Sequence, residues 1–192
     1  MIILGFDASS VNTGWAIVEG SCIEDAKIIA FGEIPLSKFK KTKFPLEYVL
    51  ILFKSAIELL QKYQPSHVYI EDIYYSRNIL TYKSLARMRG IIEAALLSTG
   101  YKTIKALTTM TLRDNILGPG KFDKSDVCSI LEKKYNLKLA TDGFDQADGL
   151  LVALGGILDA SGKIIIRPRK RKSRTSKPIN VASKKTRRKR SK

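Results

Sequence analysis

The chain reads as an α/β fold with a five-stranded mixed sheet flanked by helices, and three observations predict it. The N-terminal segment holds three apolar runs separated by polar stretches, the pattern of a β-meander. A long helical pattern follows and leads into a short apolar run, the order of a crossover returning to the sheet. Beyond it come a second helix, one more short strand and then helices only.

Ile2, Ile3, Leu4 and Phe6 form the first strand, which ends on Asp7. Residues 8–14 read as a polar turn, and Trp15, Ala16, Ile17 and Val18 as the returning strand. Residues 27–34 make a third strand that Pro35 ends, and the Lys-rich stretch 37–44 is an exposed connection. Residues 46–63 are the clearest helix, with Leu46, Val49, Leu50, Phe53, Ile57 and Leu60 recurring at spacings of three and four. Pro65 closes it. Residues 67–73 form a fourth strand, expected to lie parallel beside the first. Residues 81–99 form a second helix carrying Leu85, Met88, Ile92, Ala95 and Leu96, and Gly100 stops it. Residues 101–107 are the fifth strand. Thr108 or Thr109 caps a short helix reaching Leu117, Asp123 caps another running to about Tyr135, and a last helix runs from near Phe144 to Ser161-Gly162.

The net charge of +16 is unevenly spread. Residues 167–192 hold 14 Lys or Arg and no Asp or Glu, so the rest of the chain is nearly balanced. That divides the chain into a folded domain, 1–162, and a basic segment, 163–192, expected to be disordered and to bind a polyanion, above all nucleic acid. No apolar run reaches the ~18 residues of a membrane span. The chain opens directly on a strand, without the basic leader of a signal peptide. Cys22 and Cys128 lack metal-ligand spacing and read as reduced thiols.

Four carboxylates carry the chemical signal. Asp7 leaves the core between Phe6 and Ala8, where an ionised group needs a partner; a turn residue bonding the Ser9 or Ser10 amide is the structural alternative. Glu71 ends the fourth strand, and parallel pairing brings it to the same sheet edge as Asp7. Asp145 and Asp148 are three apart at the start of the last helix, hence on one face. Their charge also suits a helix N-terminus, and Asp145 reads equally as a cap. Carboxylates converging at one edge repel unless cations lie between them. Mg²⁺ takes oxygen ligands and suits such an open site, whereas zinc is excluded because His67 is the only histidine. Two such ions would support phosphodiester hydrolysis.

Residues 2–158 resemble the RuvC family of Holliday-junction resolvases, within the ribonuclease H-like superfamily. The likeness is carried by ILGFDASSVNTGWAIVE, by YIEDIYYSRNILTYKSLARMRG and by FDQADGLLVAL. The resemblance implies that Asp7, Glu71, Asp145 and Asp148 are the catalytic, metal-binding set, holding two Mg²⁺ that Mn²⁺ could replace. It implies a homodimer built on the 81–99 helix that cuts four-way DNA junctions by paired symmetric nicks, and it leaves room for a branch-migration partner. Tyr74 fits the family's wedging aromatic, with Tyr75 beside it. The family also has basic residues near Arg113 and Lys124. Two departures stand out: Ala8-Ser9 replaces the usual Pro-Gly after the first Asp, and Gly149 replaces the usual Ala, at modest helix cost. The basic segment is not part of the family core.

Arg77, Arg113, Lys121 and Lys124 fall near the acidic edge and are candidate phosphate contacts, as are Arg169, Lys170, Arg171 and Lys172 in the basic segment. Other readings are a nuclease of this fold acting on flaps, forks or RNA–DNA hybrids, an actin-like ATPase, and a catalytically idle DNA-binding protein. A cytoplasmic, DNA-associated location is expected; in a eukaryotic or viral setting the basic clusters would serve as a nuclear-localisation signal. A chain ending at Gly162 should keep cleavage chemistry but bind DNA more weakly than the full chain at about 50 mM salt, and equal affinities in a titration there would refute a tethering role for the segment.

Overall fold

The computed structural model describes residues 1–37, 46–73 and 78–166. The elements are β1 (Ile2–Asp7), β2 (Asn12–Glu19), β3 (Lys27–Pro35), α1 (Leu46–Tyr63), β4 (His67–Glu71), α2 (Ile79–Ser98), β5 (Lys105–Leu107), α3 (Thr109–Ile116), α4 (Lys124–Tyr135) and α5 (Phe144–Ala160). The sheet order is β3-β2-β1-β4-β5. The β1–β2 and β2–β3 pairs are antiparallel; β1–β4 and β4–β5 are parallel. The mixed five-stranded sheet expected from the sequence is therefore present, with the first and fourth strands side by side.

Alternation along the strands divides the core in two. Ile3, Ala16, Val18 and Tyr69 face α3, α4 and α5 on one side. Leu4, Phe6, Ile17, Val68 and Ile70 face α1 and α2 on the other. Helix α5 is the centre of its layer, with an unbroken buried run from Gly149 to Leu158.

Several boundaries differ from those expected. The β1–β2 turn is shorter than 8–14, because Asn12 already pairs with Pro35 and Thr13 is fully buried in β2. Tertiary pairing there overrides the local polarity. In α1 the buried residues are Leu52, Ala56, Leu59 and Leu60, while Leu46 and Leu50 are exposed. Of the expected stripe, Leu60 is buried and Val49, Phe53 and Ile57 pack partly against the core, so spacing placed the face with its centre displaced toward Leu52, Ala56 and Leu59. β4 stops at Glu71, β5 starts at Lys105, and α2 starts at Ile79 after the Asn78 cap. Thr108 and Asp123 cap α3 and α4 through their side chains, as helix starts require.

The hairpin and α5 meet without side chains between them. A Cβ on Gly14 would strike the Asp145 carbonyl, and one on Gly149 would lie 2.6 Å from the Trp15 nitrogen. A Cβ on Gly5 would strike the Ala153 backbone in the same way. Gly149 is therefore a packing requirement and not merely a weak helix former. In an uncrowded helix, Gly149→Ala would gain about 1 kcal/mol. Here it should instead cost about 1–3 kcal/mol, seen as a lower denaturant midpoint; an unchanged or higher midpoint would mean that α5 can lift off the hairpin freely.

Candidate active site

Asp7 is the last residue of β1 and Glu71 the last of β4. Phe6 pairs with Ile70 across the parallel ladder, so one further step in register sets the two carboxylates level at one edge. On the other side of β1, Asp7 pairs with Gly14. Gly14 is also the residue pressed against the Asp145 backbone. The contact of α5 with the hairpin thus brings Asp145, and one turn later Asp148, to the same edge.

The charges act on one another there. Burial, the charge of Glu71 and a hydrogen bond with Glu71 push the Asp7 carboxyl well above its usual range, and the charges of Asp148 and Asp145 add to the effect. A carboxyl beside another carboxylate ionises less readily, because the second charge repels the first. Glu71 also accepts a hydrogen bond from the Thr109 hydroxyl at the start of α3. Burial raises the Asp148 carboxyl as well; Lys124 and Arg113 oppose that rise and Glu71 adds to it. The Lys124 ammonium stands 3.3 Å from one Asp148 oxygen, and an Arg113 guanidinium nitrogen 3.8 Å from the other. A second Arg113 nitrogen donates to the Phe122 carbonyl. Among the described residues no three Asp, Glu, His or Cys form a ready-made ligand shell. The cluster is a convergence of negative charge whose members are held by Thr109, Arg113 and Lys124.

Asp145 does not cap α5, as its position allowed. The N-cap is Gly143 and no side chain bonds the helix start. Of the predicted DNA contacts, Arg113 and Lys124 lie on Asp148, and Lys121 is exposed in the turn before α4. Tyr74, Tyr75, Arg77, Arg169, Lys170, Arg171 and Lys172 lie outside the described residues. Sequence reasoning missed Thr109 as the donor to Glu71. The Thr108-Thr109 pair was legible only as a helix start, and which hydroxyl caps and which faces the acid depends on where α3 sits. A cavity of about 510 Å³ lies elsewhere, between α1 and the β2–β3 hairpin, lined by Trp15, Ile34, Leu59 and Tyr63. The carboxylates lie at the sheet edge, apart from that cavity.

Comparison with known proteins bears on the family and the fold. The family model described as crossover junction endodeoxyribonuclease RuvC matches residues 3–155. The protein of that name from Caldicellulosiruptor saccharolyticus is 29% identical over 161 residues, covering 84% of this chain and 95% of the relative. That from Aliarcobacter butzleri is 30% identical, covering 80% and 96%. Among solved structures, Thermus thermophilus RuvC in complex with Holliday junction substrate superposes with a TM-score of 0.73 at 20% identity, covering 85% of this chain and 98% of that one. The yeast mitochondrial Holliday junction resolvase superposes at 0.55, with 14% identity, covering 84% and 79%.

The folded state holds the Asp7 proton more tightly than the unfolded chain, whose carboxyl titrates near 3.8. The stability linked to Asp7 is therefore complete below that pH and is lost as pH rises through the folded value. Asp7→Asn should raise the melting temperature at pH 7 in EDTA, and the gain should vanish on acidification below about pH 3.8. Equal melting curves for the two proteins at pH 7 would mean that the negative cluster carries no strain.

Proposed function

The chain belongs to the RuvC family of crossover junction endodeoxyribonucleases, a family of hydrolytic nucleases, and from that premise we propose that it resolves four-way (Holliday) DNA junctions by paired symmetric nicks. The single observation that carries the mechanistic part is the mutual effect of Asp7, Glu71, Asp145 and Asp148 on the Asp7 carboxyl. Four acidic groups from three separated segments share one edge without forming a structural ion-pair network among themselves. Family membership also decides against the actin-like ATPase.

The donor set fits divalent cations of the Mg²⁺ class. It is all carboxylate oxygen, and burial together with neighbouring carboxylates raises Asp7 and Asp148, an environment a cation would relieve. In this reading Asp7, Glu71, Asp145 and Asp148 hold two Mg²⁺, with Mn²⁺ as a substitute. When bound, such ions lower the pKa of a water and stabilise the leaving oxygen of a phosphodiester. The protein's own part is positional. Thr109 fixes the Glu71 carboxylate through its hydroxyl. Lys124 and Arg113 neutralise Asp148, and the same cations are within reach of a phosphate brought to that edge. Lys121, exposed in the same turn, supplies a further backbone contact. Tyr74 and Tyr75 serve as stacking groups at the junction centre, and Arg77 as a phosphate contact.

Two-fold junction cleavage needs two sites, which a homodimer provides. Ile79, Leu80 and Leu97 of α2 are at least half exposed, an apolar surface on the helix assigned to the dimer. The unit that performs the chemistry is 1–162, and 163–192 adds non-specific hold on DNA. No helix among the described residues is long and apolar enough to cross a membrane. That agrees with a DNA-associated protein working in the cytoplasm.

Incubation with four-way, three-way, flap and linear DNA, with and without Mg²⁺, tests the proposal. Paired nicks in the four-way substrate, dependent on Mg²⁺, are expected. Asp7→Asn should bind the junction yet cut it at least a hundredfold more slowly (roughly 3 kcal/mol of barrier). Cleavage of linear DNA at a comparable rate, or normal cutting by Asp7→Asn, would overturn it.

A further inference from the structure

The start of α5 carries an aromatic residue with no part in the carboxylate set. Phe144 stands directly before Asp145 and four residues before Asp148, so its ring and the Asp148 carboxylate are neighbours on one face of the helix. Its root is fixed. Gly143 is buried, and a Cβ there would lie 2.9 Å from the Ala140 carbonyl and from the Leu139 side chain. The Gln146 side-chain oxygen accepts from the Ala140 amide at 3.1 Å, which ties the preceding turn to the helix. Phe144 itself stays 36% exposed.

Lys124 reaches this face from α4. It is the first residue of that helix, directly after the Asp123 cap and its capping box with Asp126. Its ammonium stands 3.3 Å from the Asp148 carboxylate and 5.7 Å from the centroid of the Phe144 ring, within the range of a cation–π contact. The carboxylate and the ring belong to one helix face, so together they form a two-sided seat for a single cation. This contact bridges two helices, whereas Lys62 and Lys134 meet the rings of their own neighbours in sequence, Tyr63 and Tyr135. The Lys124 side chain is 55% exposed. An ammonium so exposed is held weakly by one carboxylate, and its long stem keeps much rotamer freedom. A ring on the other side narrows that freedom.

We propose that Phe144 is a positioning residue for Lys124: the face of its ring keeps the ammonium at the carboxylate edge, including when a divalent cation occupies Asp148. This rests on the nuclease reading above, in which Asp148 serves the divalent cation and Lys124 meets a phosphate. The ammonium and the divalent cation then call on the same carboxylate. The ring is the partner that the divalent cation does not take. A compact charge on a flexible stem gains most from such a seat. Phe144 acts on the reaction through Lys124 alone.

Two measurements on the full chain test this. The first is heteronuclear NMR of lysine-labelled protein, with the Lys124 signal identified by its loss in Lys124→Arg. The ring current of Phe144 should displace the Lys124 Cε protons upfield of the other lysines, in EDTA and equally after Mg²⁺ is added. Phe144→Leu should abolish the displacement. The second is single-turnover cleavage of a four-way junction at saturating enzyme and Mg²⁺. Phe144→Leu should slow it about two- to fivefold, the range of one exposed cation–π contact, with junction affinity unchanged. Phe144→Trp should restore the parent rate. A trifluorinated Phe144 ring keeps nearly the native shape but loses its negative face, and it should slow cleavage as leucine does. It also serves if Phe144→Leu folds poorly. A Lys124 signal without upfield displacement, or one that joins the other lysines when Mg²⁺ is added, overturns the proposal. So does cleavage at the parent rate with the trifluorinated ring, which would mean that Phe144 only fills space. The shift is read without DNA, so failure of the parent to cut the junction overturns the junction reading alone.

Discussion

Helix α5 rests on the β1–β2 hairpin backbone to backbone. Gly14 and Gly149 leave no room for a side chain, and Gly5 repeats the arrangement against Ala153. Such contact is stiff, because neither side has a rotamer that can adjust. Its consequence is functional. Asp7 and Glu71 are set by sheet register, but Asp145 and Asp148 come from a helix whose position follows from its packing on the sheet. The glycine contacts set how closely that helix approaches the hairpin. That approach turns two acids from a distant part of the chain into partners of Asp7.

The cost of this placement is electrostatic. Burial first, and neighbouring carboxylates after it, raise the Asp7 and Asp148 carboxyls. The fold answers with local partners: a hydroxyl on Glu71, and an ammonium and a guanidinium on Asp148. Lys124 and Arg113 belong to the start of α4 and the second half of α3, elements with a structural reason to be there, since Asp123 caps one and Thr108 the other. The negative charge of Asp148 is thus partly cancelled within the protein alone.

The strongly basic character of the chain belongs to residues 167–192, and the domain itself is close to neutral. In the proposed reading selectivity and grip are separable: the sheet edge and the pairing of two subunits would select the DNA, and the basic segment would add salt-dependent hold.

Much of this was legible from the residues alone. Alternation of apolar and polar positions gave β1, β2 and β3, and the crossover rule put β4 parallel to β1, which set Asp7 and Glu71 at one edge. Spacing put Asp145 and Asp148 on one helix face. These are short-range regularities, or topological rules that depend on little else. What needed the tertiary structure was every property that depends on how elements approach one another. The centre of the α1 stripe was only partly legible: Val49, Phe53, Ile57 and Leu60 meet the core as spacing suggested, but Leu52, Ala56 and Leu59 complete the face and Leu46 and Leu50 are exposed. Gly149 looked like a small helix penalty until α5 was seen against Trp15. Thr109 and Asn115 are ordinary polar residues in sequence, and acquire roles only because α3 sets one beside Glu71 and the other beside Ile165. Pattern along the chain determines which elements form and which faces they bury; distances of a few ångströms between elements decide which side chains meet, and no local periodicity encodes them.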